Sequence, residues 1–313
     1  MSQIESIPPS VDKEELIDFH ELFEIIWKRK KFVLILTLLV SFMSILYSIS
    51  LPNLYKSEAI LSPINVDDTL SQNLRNFGGL ASLAGLDMPN SMGDKKAKAL
   101  EKLNSLSFYS ENILPKIYLP DLMAIKSWDS SSKNILYDNN IFNTTTNKWV
   151  RDFKFPQSQK PSAQESWEVY KEIVSISEDR DTGFVRISVT HMSPYKAKDW
   201  TELIVNEIND FFRSKDKIEA ETASVFLNTQ IAKTNLVEVK QVIAELLQKK
   251  TQQLALIEAN EFYVFEYLDP PVVMEEKDSP NRKLIFLIST FLGLVVSLFI
   301  TFLRHYSSNE LKI

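Results

Sequence analysis

The sequence has 313 residues, of which 44% are hydrophobic and 24% are charged, an ordinary balance for one large folded domain or two small ones. The absence of cysteine excludes disulfides, thiolate zinc sites and cysteine nucleophiles. The net charge of −6, with bases clustered only beside the two long apolar runs, argues against a nucleic-acid partner.

Residues 1–31 form a polar N-terminal segment that contains a helical pattern. Asp12 followed by Glu15 resembles a capping box at a helix start. Apolar residues then recur at helical spacing, namely Leu16, Phe19, Leu22, Phe23, Ile26 and Trp27. The pattern predicts an amphipathic helix on the membrane surface, with a partner-docking helix as the alternative.

An uncharged run of 20 residues, 32–51, predicts a first membrane-spanning helix, because 20 helical residues reach about 30 Å. Four consecutive bases at residues 28–31 precede it directly. By the positive-inside rule these bases hold the N-terminal segment in the cytoplasm, and the chain after Leu51 emerges on the far side. A cleaved secretory signal is the alternative, but a signal has a shorter apolar core of roughly 7–15 residues.

Residues 52–283 combine strand and helix patterns, which predicts an α+β domain between two membrane helices. Strand-like runs occupy residues 55–64, 172–178, 184–190 and 262–271. We expect the first and last of these runs to pair in a membrane-proximal α/β base, since both lie close to an apolar run. The glycine-rich segment 76–88 lacks the spacing of a nucleotide-binding loop, and we expect it to serve close packing or a subunit contact.

Residues 128–167 are rich in polar and aromatic residues, as is typical of hairpins and loops. Four aromatic residues there, Trp128, Tyr137, Phe142 and Trp149, allow two interpretations. They form either a small local core, which their hairpin spacing favours, or a surface on which sugars stack.

Ser193 and Pro194 predict a helix start, and the stretch 216–260 lacks proline and glycine. We expect this stretch to be one long helix of about 67 Å, longer than a compact domain needs, so that part of it projects. Four of its residues keep a 3–4 spacing and are candidates for lateral packing in an oligomer, namely Leu236, Val239, Ile243 and Leu246.

A second uncharged run of 20 residues, 284–303, predicts a second membrane helix, followed by a cytoplasmic tail at 304–313. Gly293 is the only glycine in either run, and Ser289 and Ser297 lie four residues on either side of it. Small residues let membrane helices approach closely, so this stripe predicts a contact with the first membrane helix, a neighbouring subunit or another membrane protein.

The sequence indicates no catalytic chemistry. His20, His191 and His305 stand at unrelated positions, so no metal cluster and no Ser/His/Asp set is visible. The two apolar runs contain no ionisable residue, which disfavours a transporter. We therefore expect no enzymatic activity, no metal and no cofactor.

Several segments follow one another in a definite order with the two apolar runs, among them KSEAILSP, YDNNIFNTTTNKWVRDF, EDRDTGFVRISVTHMSPYKAKDW and FYVFEYLDPPVVMEEKDSPNRKLIF. In these segments and their order the chain resembles the polysaccharide chain-length determinant family, Wzz, also called polysaccharide co-polymerases. In the last segment, Pro280 and Arg282 match the family's proline-rich approach to the second membrane helix. These two residues join Ser289, Gly293 and Ser297 as candidates for helix packing or a polymerase contact.

The resemblance implies a non-catalytic homo-oligomer in the bacterial inner membrane that sets the modal length of a polysaccharide, of the lipopolysaccharide O-antigen type. Its implied partners are an inner-membrane polysaccharide polymerase, lipid-linked polysaccharide and membrane lipid. Both termini would be cytoplasmic and the central domain periplasmic. The alternative is a two-span periplasmic sensor or scaffold, which the short polar tail disfavours because it contains no output domain.

Overall fold

A computed structural model describes residues 26–64 and 91–310. The chain divides into two compact units, one made of the residues up to Pro52 together with those from Pro280, the other of Asn53–Ser279. The glycine-rich segment 76–88, most of the predicted N-terminal amphipathic helix and the last three residues of the tail lie outside the described residues.

Within the described ranges the chain forms eight α-helices and eight strands, with one π-helical turn at Tyr109–Ile113 and one 3-10 turn at Leu114–Lys116. The helices are α1 (Lys30–Ser50), α2 (Ser91–Leu103), α3 (Leu106–Phe108), α4 (Leu119–Met123), α5 (Ala163–Ile173), α6 (Pro194–Lys233), α7 (Val237–Ala259) and α8 (Arg282–Glu310). The strands are β1 (Tyr55–Pro63), β2 (Ile125–Asp129), β3 (Asn134–Tyr137), β4 (Phe142–Asn143), β5 (Lys148–Trp149), β6 (Val174–Glu178), β7 (Val185–His191) and β8 (Phe265–Asp269).

The first unit is a pair of helices, α1 and α8, that pack against each other. Lys30–Ser50 and Arg282–Arg304 are both long and apolar enough to cross a bilayer. Their outward faces carry large apolar side chains such as Leu38 and Phe291, which are exposed in the isolated chain. Such faces suit hydrocarbon better than water, as the composition of the two apolar runs predicts.

The second unit is built on a four-stranded antiparallel sheet with the order β6-β7-β1-β8. The predicted pairing of the strand after the first apolar run with the strand at 262–271 is confirmed, because β1 pairs with β8. The strand-like runs at 172–178 and 184–190 pair with each other as β6 and β7. The earlier of these two strands is shorter than predicted, because helix α5 continues to Ile173 before β6 begins.

Alternation along the strands separates a buried from an exposed face. Val185, Ile187 and Val189 of β7 are fully buried, as their spacing predicts, and Ala59 and Leu61 of β1 join them. Helix α6 covers this face with an apolar stripe, of which Trp200, Ile204 and Ile208 are buried in the same core. Each large apolar side chain buried in this way stabilises the fold by about 1.5–3 kcal/mol.

The Asn209 side chain holds the segment between α7 and β8 in place through hydrogen bonds. Its side-chain oxygen accepts the backbone N–H groups of Tyr263, Val264 and Phe265 at 3.2, 2.7 and 2.9 Å. Its amide nitrogen donates to the carbonyls of Val205 at 3.1 Å and Phe265 at 3.0 Å. Buried backbone groups need such partners, so this one side chain fixes the start of the edge strand.

We expect Asn209→Ala to lower the free energy of unfolding by about 1–3 kcal/mol, because it leaves buried N–H groups without an acceptor. Urea unfolding of the purified chain, followed by tryptophan fluorescence, measures the effect. Asn206→Ala is the matched control, since Asn206 lies three residues earlier on α6 and is exposed. Equal midpoints for the two variants would show that the Asn209 bonds contribute nothing.

The long helical region differs from the prediction. The prediction of a single helix over residues 216–260 is wrong. Helix α6 begins at Pro194, runs for 40 residues and ends at Lys233, and helix α7 then runs back antiparallel to it. Arg213 donates to the carbonyl of Asn260, and Lys217 pairs with Glu258, which fixes the antiparallel arrangement.

The turn between α6 and α7 contains neither proline nor glycine, which is why the sequence pattern did not predict it. Thr234 and Leu236 adopt extended backbone angles at the end of α6 and the start of α7. Threonine and asparagine are weak helix formers, so Thr234 and Asn235 lower the cost of a break. The apolar surface that α7 buries against α6 then favours two packed helices over a single exposed one.

Candidate functional site

The small-residue stripe of the second membrane helix lies against the first membrane helix of the same chain. Gly293 and Ser297 are buried in this contact, whereas Ser289 is only partly buried. A Cβ built on Gly293 would lie 3.0 Å from the Cβ and Cγ1 atoms of Val40. This distance is tighter than nine in ten real Cβ contacts, so a side chain here would require Val40 to shift by a few tenths of an ångström, and glycine allows the observed spacing of α1 and α8 without that shift.

Hydroxyl groups link the two membrane helices on either side of that glycine. The Thr37 and Ser297 hydroxyl oxygens lie 3.3 Å apart, and those of Ser41 and Thr290 lie 2.9 Å apart. Hydrogen bonds of this kind between membrane helices are worth about 0.6 kcal/mol each on average. The contact therefore rests mainly on close packing, with two polar links that fix its register.

The first helix contributes a polar stripe that the sequence interpretation missed. Its small polar residues are Thr37, Ser41, Ser44 and Ser48, and they follow one another at intervals of four, three and four residues. Three of them, Ser41, Ser44 and Ser48, are buried. The helical spacing of hydroxyl residues within an apolar run was the signal that could have identified the partner of the Gly293 stripe.

The two candidate residues before the second membrane helix lie where the chain enters it. Pro280 follows Ser279, whose carbonyl accepts the backbone N–H of Leu54 at 2.8 Å. Arg282 opens α8 and its guanidinium is 3.5 Å from the carbonyl oxygen of Leu51. Both residues thus stand at the start of the second membrane helix in the chain, and neither lies in the Gly293 stripe.

The four candidate oligomer residues do not share one environment. Ile243 is 8% exposed and packs inside the helical hairpin formed by α6 and α7. Leu236, Val239 and Leu246 are 63%, 40% and 44% exposed. The four residues therefore do not form one packing surface. Ile243 stabilises the hairpin itself, whereas the other three leave apolar surface uncovered in the isolated chain.

The predicted aromatic cluster of the hairpin region is mostly a local core. Phe142 is buried, and its ring centroid lies 5.1 Å from that of Trp149 and 6.1 Å from that of Tyr137. Trp128 instead contacts Tyr195, at the start of α6, with a centroid distance of 5.9 Å. The local-core interpretation therefore describes three of the four residues, and Trp128 belongs to a different surface.

His191, the described histidine of the second unit, has a structural role. The Nε2–H group of His191 donates to the carbonyl of Asp121 at 2.9 Å, and Nδ1 accepts the backbone N–H of Ser193 at 2.9 Å. Burial lowers the pKa of His191 and keeps the ring neutral. Among the described residues, no group of three or more histidine or acidic side chains is placed to hold a metal ion.

The chain is similar to two solved structures of polysaccharide co-polymerases. A comparison with curated protein sequences found no match. Among solved structures, a full-length bacterial polysaccharide co-polymerase is 12% identical, with a TM-score of 0.40, over 93% of this chain and 99% of that one. A fragment of WzzB, the polysaccharide co-polymerase from Salmonella Typhimurium, is 13% identical, with a TM-score of 0.31, over 72% of this chain and 100% of that one.

The family model of Wzz, described as chain length determinant protein, matches residues 15–114. The matched part includes helix α1, strand β1 and helix α2. Over these residues the match confirms the resemblance to the Wzz family that the sequence predicts.

Proposed function

We propose that this chain regulates, without catalysing any reaction, the modal length of a lipid-linked surface polysaccharide. It acts as a homo-oligomer beside the inner-membrane polymerase that joins the sugar repeats, and the polysaccharide is the O-antigen of lipopolysaccharide. The observation that carries the proposal is the match of the chain length determinant model to residues 15–114. The arrangement of an α+β unit between two candidate membrane helices supports it.

Deletion of the gene, followed by gel analysis of surface polysaccharide from the producing bacterium, tests the proposal. We expect the band cluster of modal length to disappear and a ladder of decreasing intensity to remain, because polymerisation continues without length control. Expression of the intact chain from a plasmid should restore the modal band. An unchanged ladder after deletion would contradict the proposed function.

We further propose that residues 52–283 lie in the periplasm and that both termini lie in the cytoplasm. The four bases at 28–31 support this orientation, because positively charged flanks stay on the cytoplasmic side. A reporter enzyme that is active only in the periplasm should therefore work when it is fused after Glu111 or Gln164 and should fail after Lys312. An active fusion after Lys312 would rule out the hairpin topology.

A further inference from the structure

An open cavity of about 640 Å³ lies where the β2–β3 hairpin meets helix α4 and the first turn of α6. Its volume falls within the roughly 300–1,000 Å³ of typical small-ligand sites. All of its lining residues belong to the sheet unit. The cavity is separate from the membrane helix contact and from the oligomer candidates on α7.

Aromatic rings form the walls of this cavity. Tyr118, Trp128, Tyr137 and Tyr195 all line it, and they come from three separate parts of the chain. Tyr195 is 39% and Tyr118 is 45% exposed, so their ring faces are accessible. The Tyr118 ring makes edge contacts with Tyr137 at 6.3 Å, and its hydroxyl donates to Asn147 at 3.0 Å, which holds it in place.

A buried carboxylate organises the polar side of the cavity. Asp121 is 2% exposed and accepts the Tyr137 hydroxyl at 2.6 Å and the Lys196 ammonium at 2.9 Å. Burial and this carboxylate raise the pKa of Tyr137, so its hydroxyl stays protonated at neutral pH. The Lys196 amine and Tyr137 ring are therefore fixed before any ligand arrives, and fixed groups bind at a lower entropic cost.

Two further polar residues of the hairpin complete the lining. Asn134 and Lys133 both line the cavity, and the Lys133 ammonium lies 5.6 Å from the centroid of the Tyr195 ring. An amide and ammonium groups beside exposed aromatic faces can serve a ligand that has apolar C–H faces and hydroxyl edges. A pyranose ring has both features.

We propose that this cavity binds a short segment, one or two sugar rings, of the polysaccharide whose length the protein controls. The inference rests on the proposed function for the identity of the polysaccharide. A dedicated phosphate site is the less suitable alternative, because one of the two lysines, Lys196, is already neutralised by Asp121. The sugar ring stacks on Trp128 or Tyr195. The lysine ammonium groups donate hydrogen bonds to its hydroxyl oxygens, and the Asn134 amide donates to or accepts from its hydroxyl groups.

Isothermal titration calorimetry of the full chain in detergent micelles tests the proposal. The probe is the O-polysaccharide released by mild acid from the producing strain's lipopolysaccharide, and inorganic pyrophosphate is the anion control. We expect saturable binding of the saccharide, weakened about tenfold or more by Trp128→Ala and by Tyr195→Ala, which corresponds to roughly 1.4 kcal/mol. Phe155→Ala is the matched aromatic control, because Phe155 is 96% exposed and does not line the cavity.

The possible results separate this proposal from the proposed function. Saccharide binding that neither cavity variant weakens would place the ligand elsewhere and overturn the proposal, as would no binding at all. Stronger binding of pyrophosphate, lost in Lys133→Ala, would identify an anion site instead. A variant that no longer unfolds cooperatively is replaced by Trp128→Leu or Tyr195→Leu, which keep apolar bulk but lose the aromatic face and should weaken binding to the same extent. Gene deletion, in contrast, tests length control whether or not the cavity binds sugar.

Discussion

Ile243→Asp is expected to open the helical hairpin of α6 and α7. Ile243 is 8% exposed, so an aspartate there loses its hydration without gaining a cationic partner, at a cost of about 2–4 kcal/mol. Hydrogen exchange of the full chain, resolved by peptide, should show faster exchange in α7 and little change in the central strands β7 and β1. Modal length control should be lost together with the hairpin.

The neighbouring position supplies the control for this experiment. Val242 is 55% exposed on the same helix, so Val242→Asp should leave the exchange of α7 close to that of the unaltered chain. Equal exchange in the Ile243 and Val242 variants would show that the hairpin does not depend on the buried side chain.

A third variant separates packing within the chain from packing between chains. Leu236 is 63% exposed near the turn, so Leu236→Asp should preserve the exchange pattern of the hairpin. If Leu236 contributes to the oligomer, this variant should reduce chemical crosslinking between copies and broaden the modal length band. Unchanged crosslinking and an unchanged band would remove Leu236 from the oligomer surface.

Local patterns predicted the membrane helices and the sheet well. A membrane helix is determined by composition over about 20 residues, and a half-buried strand by alternation over five to seven. The burial of Val185, Ile187 and Val189 follows from such alternation alone. The pairing of β1 with β8 needed one further argument, namely that both strands lie beside an apolar run.

The turn at residues 234–236 and the aromatic cavity depend on contacts between distant parts of the chain. The turn has no proline or glycine, and its energy is decided by how α7 packs on α6. The cavity brings together Tyr118, Trp128 and Tyr195, which are separated by up to 77 positions in the sequence. Aromatic residues at hairpin spacing indicated a local core, and only the three-dimensional structure distinguishes Trp128 from Phe142 and Trp149.

Gly293→Leu is expected to separate the two membrane helices without preventing membrane insertion. Leucine favours insertion, so the variant should be present in the membrane at the level of the unaltered chain. A side chain at this position, however, meets Val40 at 3.0 Å already at its first carbon. The remaining three carbons of leucine force α1 and α8 apart and lengthen both hydroxyl contacts beside the glycine.

The absence of cysteine makes this separation measurable. Thr37→Cys and Ser297→Cys place two thiols at positions whose hydroxyl oxygens are 3.3 Å apart, in a chain with no other thiol. Oxidative crosslinking between these two cysteines should be efficient when residue 293 is glycine. It should be strongly reduced when Gly293→Leu is added. Val296→Leu is the matched control, since Val296 is 49% exposed on the same helix.

A compensating substitution tests whether the reduced crosslinking arises from the contact between residue 293 and Val40. Gly293→Ala should weaken the crosslink modestly, because its single added carbon requires Val40 to shift by a few tenths of an ångström. Adding Val40→Ala to the Gly293→Ala variant removes the two Val40 methyl groups but keeps the Cβ at 3.0 Å, so it should restore part of the crosslink and of the modal band. If Gly293→Leu crosslinks normally but still loses length control, the stripe acts on a partner outside the chain. If both remain normal, the close approach at Gly293 has no part in the mechanism.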